Sequence, residues 1–154
     1  MKTFDIYDDE INRLLQLHED HFNDFKSKLI APAKLQETFV AFANSDGGDI
    51  YIGIEDDSVK TERINGFKDQ EEANALISVL LESTTPAVEN VITEFLDTKD
   101  KGLILHFNIP KSHKVHYTAN GDCFIRVNAS KIKIKGERIT FLSYAKGAEP
   151  YEKK

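Results

Sequence analysis

Residues 39–57 read FVAFANSDGGDIYIGIEDD, and this stretch constrains the fold more than any other. Pro32 suits the first turn of a helix, and Leu35, Phe39, Phe42 and Ala43 follow it at helical spacing as a buried stripe. Gly47-Gly48 stops that pattern. From Asp49 the apolar period becomes two, so Ile50, Ile52 and Ile54 are expected on one face of a strand and Tyr51, Gly53 and Glu55 on the other. A helix that turns into a strand on a doubled glycine requires helix and sheet to pack together. Asn44-Ser45-Asp46-Gly47-Gly48 lacks the lysine and spacing of a phosphate-cradling loop and follows a helix instead of opening one, which rejects nucleotide binding at this turn.

Around this unit the periodicities give the remaining order. Asp8-Asp9-Glu10 starts a helix carrying Ile11, Leu14, Leu15 and His18, with the acids at the favourable end of the dipole. Residues 21–26 alternate as a short strand with Phe22, Asp24 and Lys26 on one face and Asn23 and Phe25 on the other. Residues 63–67 suggest a return strand. Asp69 and Glu72 cap a helix bearing Ala73, Leu76, Ile77, Leu80 and Leu81. Residues 91–97 and 103–109 alternate around Lys99-Asp100-Lys101-Gly102, a hairpin signal. Asn120-Gly121 predicts a second hairpin pairing residues 115–117 with 123–127. A last helix is expected over residues 137–147. The expectation is one α+β domain over residues 1–148, with a mixed, mainly antiparallel sheet and packed helices, and residues 149–154 as a flexible tail or truncated linker.

A length of 154 residues allows one core. No apolar run reaches the ~20 residues of a membrane span, and MKTFDIYDDE lacks the basic start and apolar segment of a signal peptide, so a cytoplasmic location is expected. Cys123 is the single cysteine, which excludes an intramolecular disulfide and a multi-cysteine zinc site; in GDCFIRV it reads as a packed thiol. The net charge of −6 argues against general affinity for nucleic acid, yet it conceals an asymmetry. Asp5, Asp8, Asp9, Glu10, Glu19, Asp20 and Asp24 face only Lys2 and Arg13 in the first 24 residues. Lys111, Lys114, Arg126, Lys131, Lys133, Lys135 and Arg138 face only Asp122 and Glu137 further on. This polarity suggests an acidic site and a separate basic surface.

Glu19, Asp20, Asp24, Glu55, Asp56 and Asp57 come from two short regions separated by one helix. If the two strands are neighbours, their carboxylates converge and raise one another's pKa unless a cation neutralises them. Mg²⁺ or Mn²⁺ suits such oxygen ligands and would polarise a phosphodiester and activate water. Lys26, sharing Asp24's face, would stabilise charge developing on the phosphate. A solvated acidic turn explains the same residues. His18 and His21 flank Glu19 as further ligand or proton-transfer candidates, while His106 reads as a strand residue between Leu105 and Phe107. No serine or cysteine sits in a nucleophile signature. In Lys131-Ile132-Lys133-Ile134-Lys135 a strand would align three ammonium groups as a phosphate track; a lysine-protected edge strand is the alternative.

Glu19-Asp20-His21-Phe22-Asn23-Asp24-Phe25-Lys26, then Ala41 to Gly48, then Tyr51-Ile52-Gly53-Ile54-Glu55-Asp56-Asp57 together resemble the Schlafen AlbA_2 domain. Gly66, Ile109-Pro110-Lys111-Ser112 and Asp122 to Val127 fit the same pattern. The resemblance implies a nucleic-acid-associated α+β domain and, for the nucleases of the family, cleavage of structured RNA, notably tRNA, by three carboxylates with a divalent ion. Glu19 and Asp24 match two of the acids, and Glu55 or Asp56 the third. Asp24 departs from the family's longer glutamate, and the chain holds one copy of a unit those nucleases use as two lobes, which a homodimer would rebuild. The resulting expectation is a Mg²⁺- or Mn²⁺-dependent endoribonuclease using Glu19, Asp24, Lys26 and Glu55 or Asp56. Lys111, Lys114, Arg126, Lys131, Lys133 and Lys135 would hold tRNA-like RNA in preference to DNA. The alternatives are a non-catalytic DNA- or RNA-binding regulatory module, alone or as the N-terminal part of a larger regulator, and an interaction or oligomerisation domain in a larger defence or regulatory protein.

Overall fold

A computed structural model describes residues 1–152. Its elements are β1 (Lys2–Asp5), α1 (Asp8–Gln16), β2 (Asn23–Lys26), α2 (Pro32–Asn44), β3 (Gly48–Ile52), a 3-10 turn (Glu71–Ala73) leading into α3 (Asn74–Glu82), β4 (Ile92–Asp97), β5 (Leu103–Ile109), β6 (Cys123–Val127), β7 (Ser130–Ile134) and α4 (Glu137–Glu152). Strands β1 to β5 form one sheet in the order β1-β4-β5-β3-β2, and β6 with β7 forms a separate hairpin. β1 runs parallel to β4 and β2 parallel to β3, while β5 runs antiparallel to both β3 and β4. The sheet is therefore mixed, within a single α+β domain. The parallel β2–β3 pair is joined by α2, the crossover that such a pair requires.

Helix α2 is apolar around its whole circumference in FVAFA, because it has neighbours on more than one side. It contacts β5 of the sheet, α3 and the β6–β7 hairpin, and Phe39 through Ala43 have no exposed surface. On that side of the sheet Ile50, Ile52, Phe95, Leu105, Phe107 and Ile109 meet α2 and α3. The opposite side is covered at one end by Ile11, Leu14 and Leu15 of α1, which pack on Phe25, Leu96 and Ile104.

Two glycine sites shape the unit around β3. Gly47 has φ +76°, and a Cβ there would lie 2.5 Å from the Ile109 carbonyl oxygen; at Gly48 it would lie 2.5 Å from the Phe42 ring. Gly53 has φ +107° and breaks the alternation. Ile54 consequently leaves the face of Ile50 and Ile52 and packs with Phe25, Ile64 and Ile104 on the other side, a correction to the expected shared face.

Other expectations change with tertiary context. The return segment makes only isolated bridges, Ile54 with Ile64 and Phe67 with Leu103. Asp69 caps the Glu72 N–H at 3.0 Å as expected, but Glu72 accepts from the Lys68 N–H at 3.1 Å instead of returning to Asp69. The Asn120-Gly121 turn forms, yet β6 pairs with β7, and Tyr117 bridges to Thr85. Buried His116 donates its N–H to Asn44 Oδ1 at 2.8 Å, which draws residues 115–117 away from β6. Helix α4 continues to Glu152; of the expected tail, residues 153 and 154 lie outside the described residues. Among the described residues no helix is long and apolar enough to cross a membrane.

Candidate functional site

Because β2 and β3 are parallel neighbours, the segments that follow them emerge at the same end of the sheet. Glu19, Lys26, Glu55 and Asp56 line one surface cleft there, of about 380 Å³. Asp24 lies behind it on β2, with Lys26 Nζ 3.4 Å from its Oδ1. Glu19 Oε2 accepts the Phe25 N–H at 3.4 Å. Burial, a hydrogen bond to Asp24 and the Asp24 charge push the Glu19 carboxyl up to about 8, against smaller opposing effects of the Phe25 N–H and Lys26. Glu19 is therefore largely protonated at pH 7 and donates to Asp24, whose Oδ1 accepts no hydrogen bond from the other groups around it.

The second Asp24 oxygen is committed. Arg126 Nη1 donates to Oδ2 at 2.9 Å, and the two side chains are only 1% and 4% exposed. The rest of the guanidinium donates to the Asp20 carbonyl at 3.0 and 2.7 Å and the Asn23 carbonyl at 3.0 Å, and it lies over the Phe42 ring. Arg126 is thus an interior clamp on the strand that carries Asp24. This corrects its expected place on a basic surface: at 1% exposure, with four of its five N–H groups donated to a carboxylate and two carbonyls, the guanidinium is interior and out of reach of a phosphate backbone.

The run of three acids after β3 separates into distinct environments. Glu55 is fixed through its backbone, its N–H donating to the Arg63 carbonyl at 2.7 Å and its carbonyl accepting from Arg63 Nε at 3.1 Å. Asp56 accepts from the Ser58 hydroxyl and N–H, which hold its carboxyl below the usual range. Asp57 pairs with exposed His18 at 2.7 Å. His21 turns from Glu19 to Asp46, at 2.6 Å. Among the described residues no three His, Cys, Asp or Glu side chains stand close enough to grip an ion together as placed. Glu19 and Asp24 suit a hard cation, since they are two neighbouring carboxyls held together by a proton that an ion would displace to gain oxygen ligands. Glu55 and Asp56 stand on the wall of the same cleft.

The basic residues lie elsewhere. Ile109, at the end of β5, pairs with Gly48 at the start of β3, so the segment with Lys111 and Lys114 emerges at the opposite end of β3 from Glu55. Lys111 Nζ is 3.8 Å from Asp46. Lys131 and Lys133 pair across the hairpin with Arg126 and Phe124; their ammonium groups meet Glu37 of α2 at 2.8 Å and Asp122 at 3.2 Å. Lys114 and Lys135 are exposed.

The most consequential residues missed by the sequence reading are Asn44 and Ser45. Asn44 Nδ2 donates to the carbonyls of His116 and Phe124, both at 2.9 Å, and Ser45 Oγ accepts the Arg126 N–H at 2.8 Å. The end of α2 thereby fixes β6, and β6 delivers Arg126 to Asp24. The available signal was an amide directly after the apolar run Phe39 to Ala43. His106 was also underrated: Nε2 meets Asp49 at 2.7 Å, Nδ1 meets Glu94 at 2.9 Å, and Tyr51 stacks on the ring. Cys123 is buried, and burial pushes its thiol up to about 11, as suits a packed residue.

No curated protein is significantly similar to the chain in sequence. Among solved structures, the DIP2311 protein from Corynebacterium diphtheriae superposes on 82% of the chain with a TM-score of 0.53 and 17% identity, which shows a shared fold. The chain spans 29% of that protein's length. The family model for Schlafen, AlbA_2 matches residues 19–135, a range that holds the acid cleft, the α2–β3 unit and the β6–β7 hairpin. The chain belongs to the Schlafen AlbA_2 family, a membership that suggests a nucleic-acid-related function.

Proposed function

We propose that the chain is a nucleic-acid-processing domain that hydrolyses phosphodiesters of tRNA or a similar structured RNA in preference to DNA. The supporting observation is Glu19, pushed up to about 8 beside the donor-poor Oδ1 of Asp24, in the cleft shared with Lys26, Glu55 and Asp56. Glu19, Asp24 and one of Glu55 or Asp56 would hold Mg²⁺ or Mn²⁺, which when bound supplies Lewis acidity and a more acidic water. Arg126 fixes the direction of Asp24. Lys26 sets a positive charge at the cleft wall, where it meets a phosphate oxygen as negative charge builds. Lys111, Lys114, Lys131, Lys133 and Lys135 hold more distant phosphates, and a homodimer supplies a second lobe.

The test is incubation of end-labelled tRNA with the full chain and Mn²⁺. Cleavage is expected from the wild type and its loss from Glu19→Gln and Lys26→Ala at unchanged melting temperature; intact RNA from the wild type sinks the reading. A readout independent of turnover is the Glu19 carboxyl titration by NMR. Mg²⁺ should move its midpoint downward from about 8; an unmoved midpoint removes the ion from the site.

One observation favours a second reading. The Asp24–Arg126 pair is interior, as a purely architectural ion pair would be, so the domain would bind nucleic acid without cutting it. That reading expects salt-dependent binding that survives Glu19→Gln and weakens when Lys131, Lys133 and Lys135 are replaced by alanine.

A further inference from the structure

β1 is the outer strand of the five-stranded sheet, and all four of its residues are exposed. In a parallel ladder alternate residues turn both main-chain groups toward the neighbour. The Ile6 N–H donates inward to the Asp97 carbonyl at 3.0 Å, so Lys2, Phe4 and Ile6 face β4, and Thr3 and Asp5 aim their N–H and C=O groups away from the sheet. The same short segment carries three large exposed apolar side chains: Met1 at 58%, Phe4 at 44% and Tyr7 at 61%. Unpaired strand groups beside exposed apolar side chains form a template for another strand.

We propose that this edge binds a second copy of the chain, with the two β1 strands antiparallel about a two-fold axis at Phe4. The register follows from pairing rules. Outward-facing residues must meet one another, so Thr3 opposes Asp5 of the second copy and exchanges both main-chain hydrogen bonds with it. Phe4 then opposes Phe4 at the closer, non-hydrogen-bonded position, Met1 opposes Tyr7, and all three exposed apolar residues are covered. A register one step along would set Asp5 against Asp5, like charges directly opposed. The step the other way would set Phe4 against Lys2 and leave Tyr7 uncovered.

Charge fits the same register. Lys2 of the second copy lands opposite Ile6, beside a groove of about 270 Å³ lined by Ile6, Glu10, Arg13, Leu14, Leu17 and Leu96. Its stem covers the apolar floor and its ammonium reaches Glu10, in the acidic first turn of α1. Asp5 is already neutralised by Lys99 at 2.8 Å, which lets the two Asp5 side chains approach diagonally. α1 lies beyond the C-terminal end of β1, so the two-fold axis places the two copies of α1 at opposite ends of the joint.

β1 lies outside residues 19–135 matched by the family model, and the surface does not depend on phosphodiester chemistry. A four-residue edge covers less than the ~1,200 Å² of a standard interface, so the dimer is weak, forming in the micromolar range. Sedimentation velocity of the full chain over that range should show a monomer passing to a dimer. Phe4→Glu should weaken the dimer at least tenfold without lowering the melting temperature. Phe4→Cys should form an intermolecular disulfide on mild oxidation, and Thr3→Cys, opposite Asp5, should not; Cys123 is buried and does not compete. A wild type monomeric throughout the range overturns the proposal. So does a dimer indifferent to Phe4→Glu, or equal crosslinking of the two cysteine variants. A dimer that survives Phe4→Glu would retain the two-lobed reading above and remove only this surface.

Discussion

Two clusters of half-buried carboxylates lie on the same sheet and have reached opposite electrostatic ends. At Asp49, His106 and Glu94, an imidazole stands between two acids. Burial pulls His106 down, but its bonds to Asp49 and Glu94 outweigh burial and leave it raised. Burial pushes Asp49 up, yet His106 and Asn108 hold it below the usual carboxylate range. At Glu19 and Asp24, interior Arg126 is spent on one Asp24 oxygen, Lys26 stands 3.4 Å from the other, and Glu19 still remains protonated to about 8. The first cluster carries its own counter-charge. The second balances its charge by keeping a proton on Glu19, which makes it the place where an added cation, by displacing that proton, would change most.

The largest expected effect comes from removing the buried cation of the second cluster. Arg126→Met leaves Asp24 interior without its partner and frees two backbone carbonyls, and should cost about 3–5 kcal/mol in denaturant unfolding. A loss near zero would mean that Asp24 is solvated and that the two clusters do not differ as described. Next is His106→Phe, which leaves Asp49 and Glu94 facing each other across an apolar ring, at a cost of about 1–3 kcal/mol. Its pH signature follows from the raised His106 pKa. The stability His106 contributes is complete below about 6.5, its ordinary value, and fades as pH rises through the higher folded value. The wild type should lose this contribution as pH rises from about 6.5 through that value, and the variant should lack that slope.

Smallest is Glu19→Gln. Glu19 takes up a proton on folding between its ordinary value of 4.5 and about 8, so its contribution to stability is complete below that window and declines as pH rises through it. The amide cannot ionise. The variant should therefore be the more stable form above pH 8, by on the order of 1 kcal/mol once screening at this half-exposed position is allowed for. Thermal melts at paired pH values check the sign, and a wild type that gains stability between pH 5 and 8 relative to the variant contradicts it.

Local periodicity was a sound guide where neighbours in sequence settle the outcome. Pro32, the Gly47-Gly48 turn and the β4–β5 hairpin stand where their residues imply. It failed where a distant contact intervened. Gly53 looked like one position in an alternating strand, yet its left-handed backbone sends Ile54 to the other core. Asn120-Gly121 looked like a hairpin turn, but Asn44 and buried His116 take the first arm away and leave β6 to pair with β7. The acids were legible as a set on the condition that β2 and β3 are neighbours, a condition the parallel pairing across the α2 crossover meets. Their individual states were not, since Asp56 answers to Ser58 nearby while Asp24 answers to Arg126, 102 residues away.

The sequence by itself determined the α2–turn–β3 unit, the family, and the short set of acids and bases from which any site must be drawn, because these depend on spacing along the chain. The tertiary structure alone decided that Arg126 is an interior clamp, that Lys111 and Lys114 emerge at the other end of β3 from the acids, and that Glu19 keeps its proton. A side chain's charge state and availability depend on solvent exclusion and on partners brought together from far apart in sequence, and no local pattern encodes either.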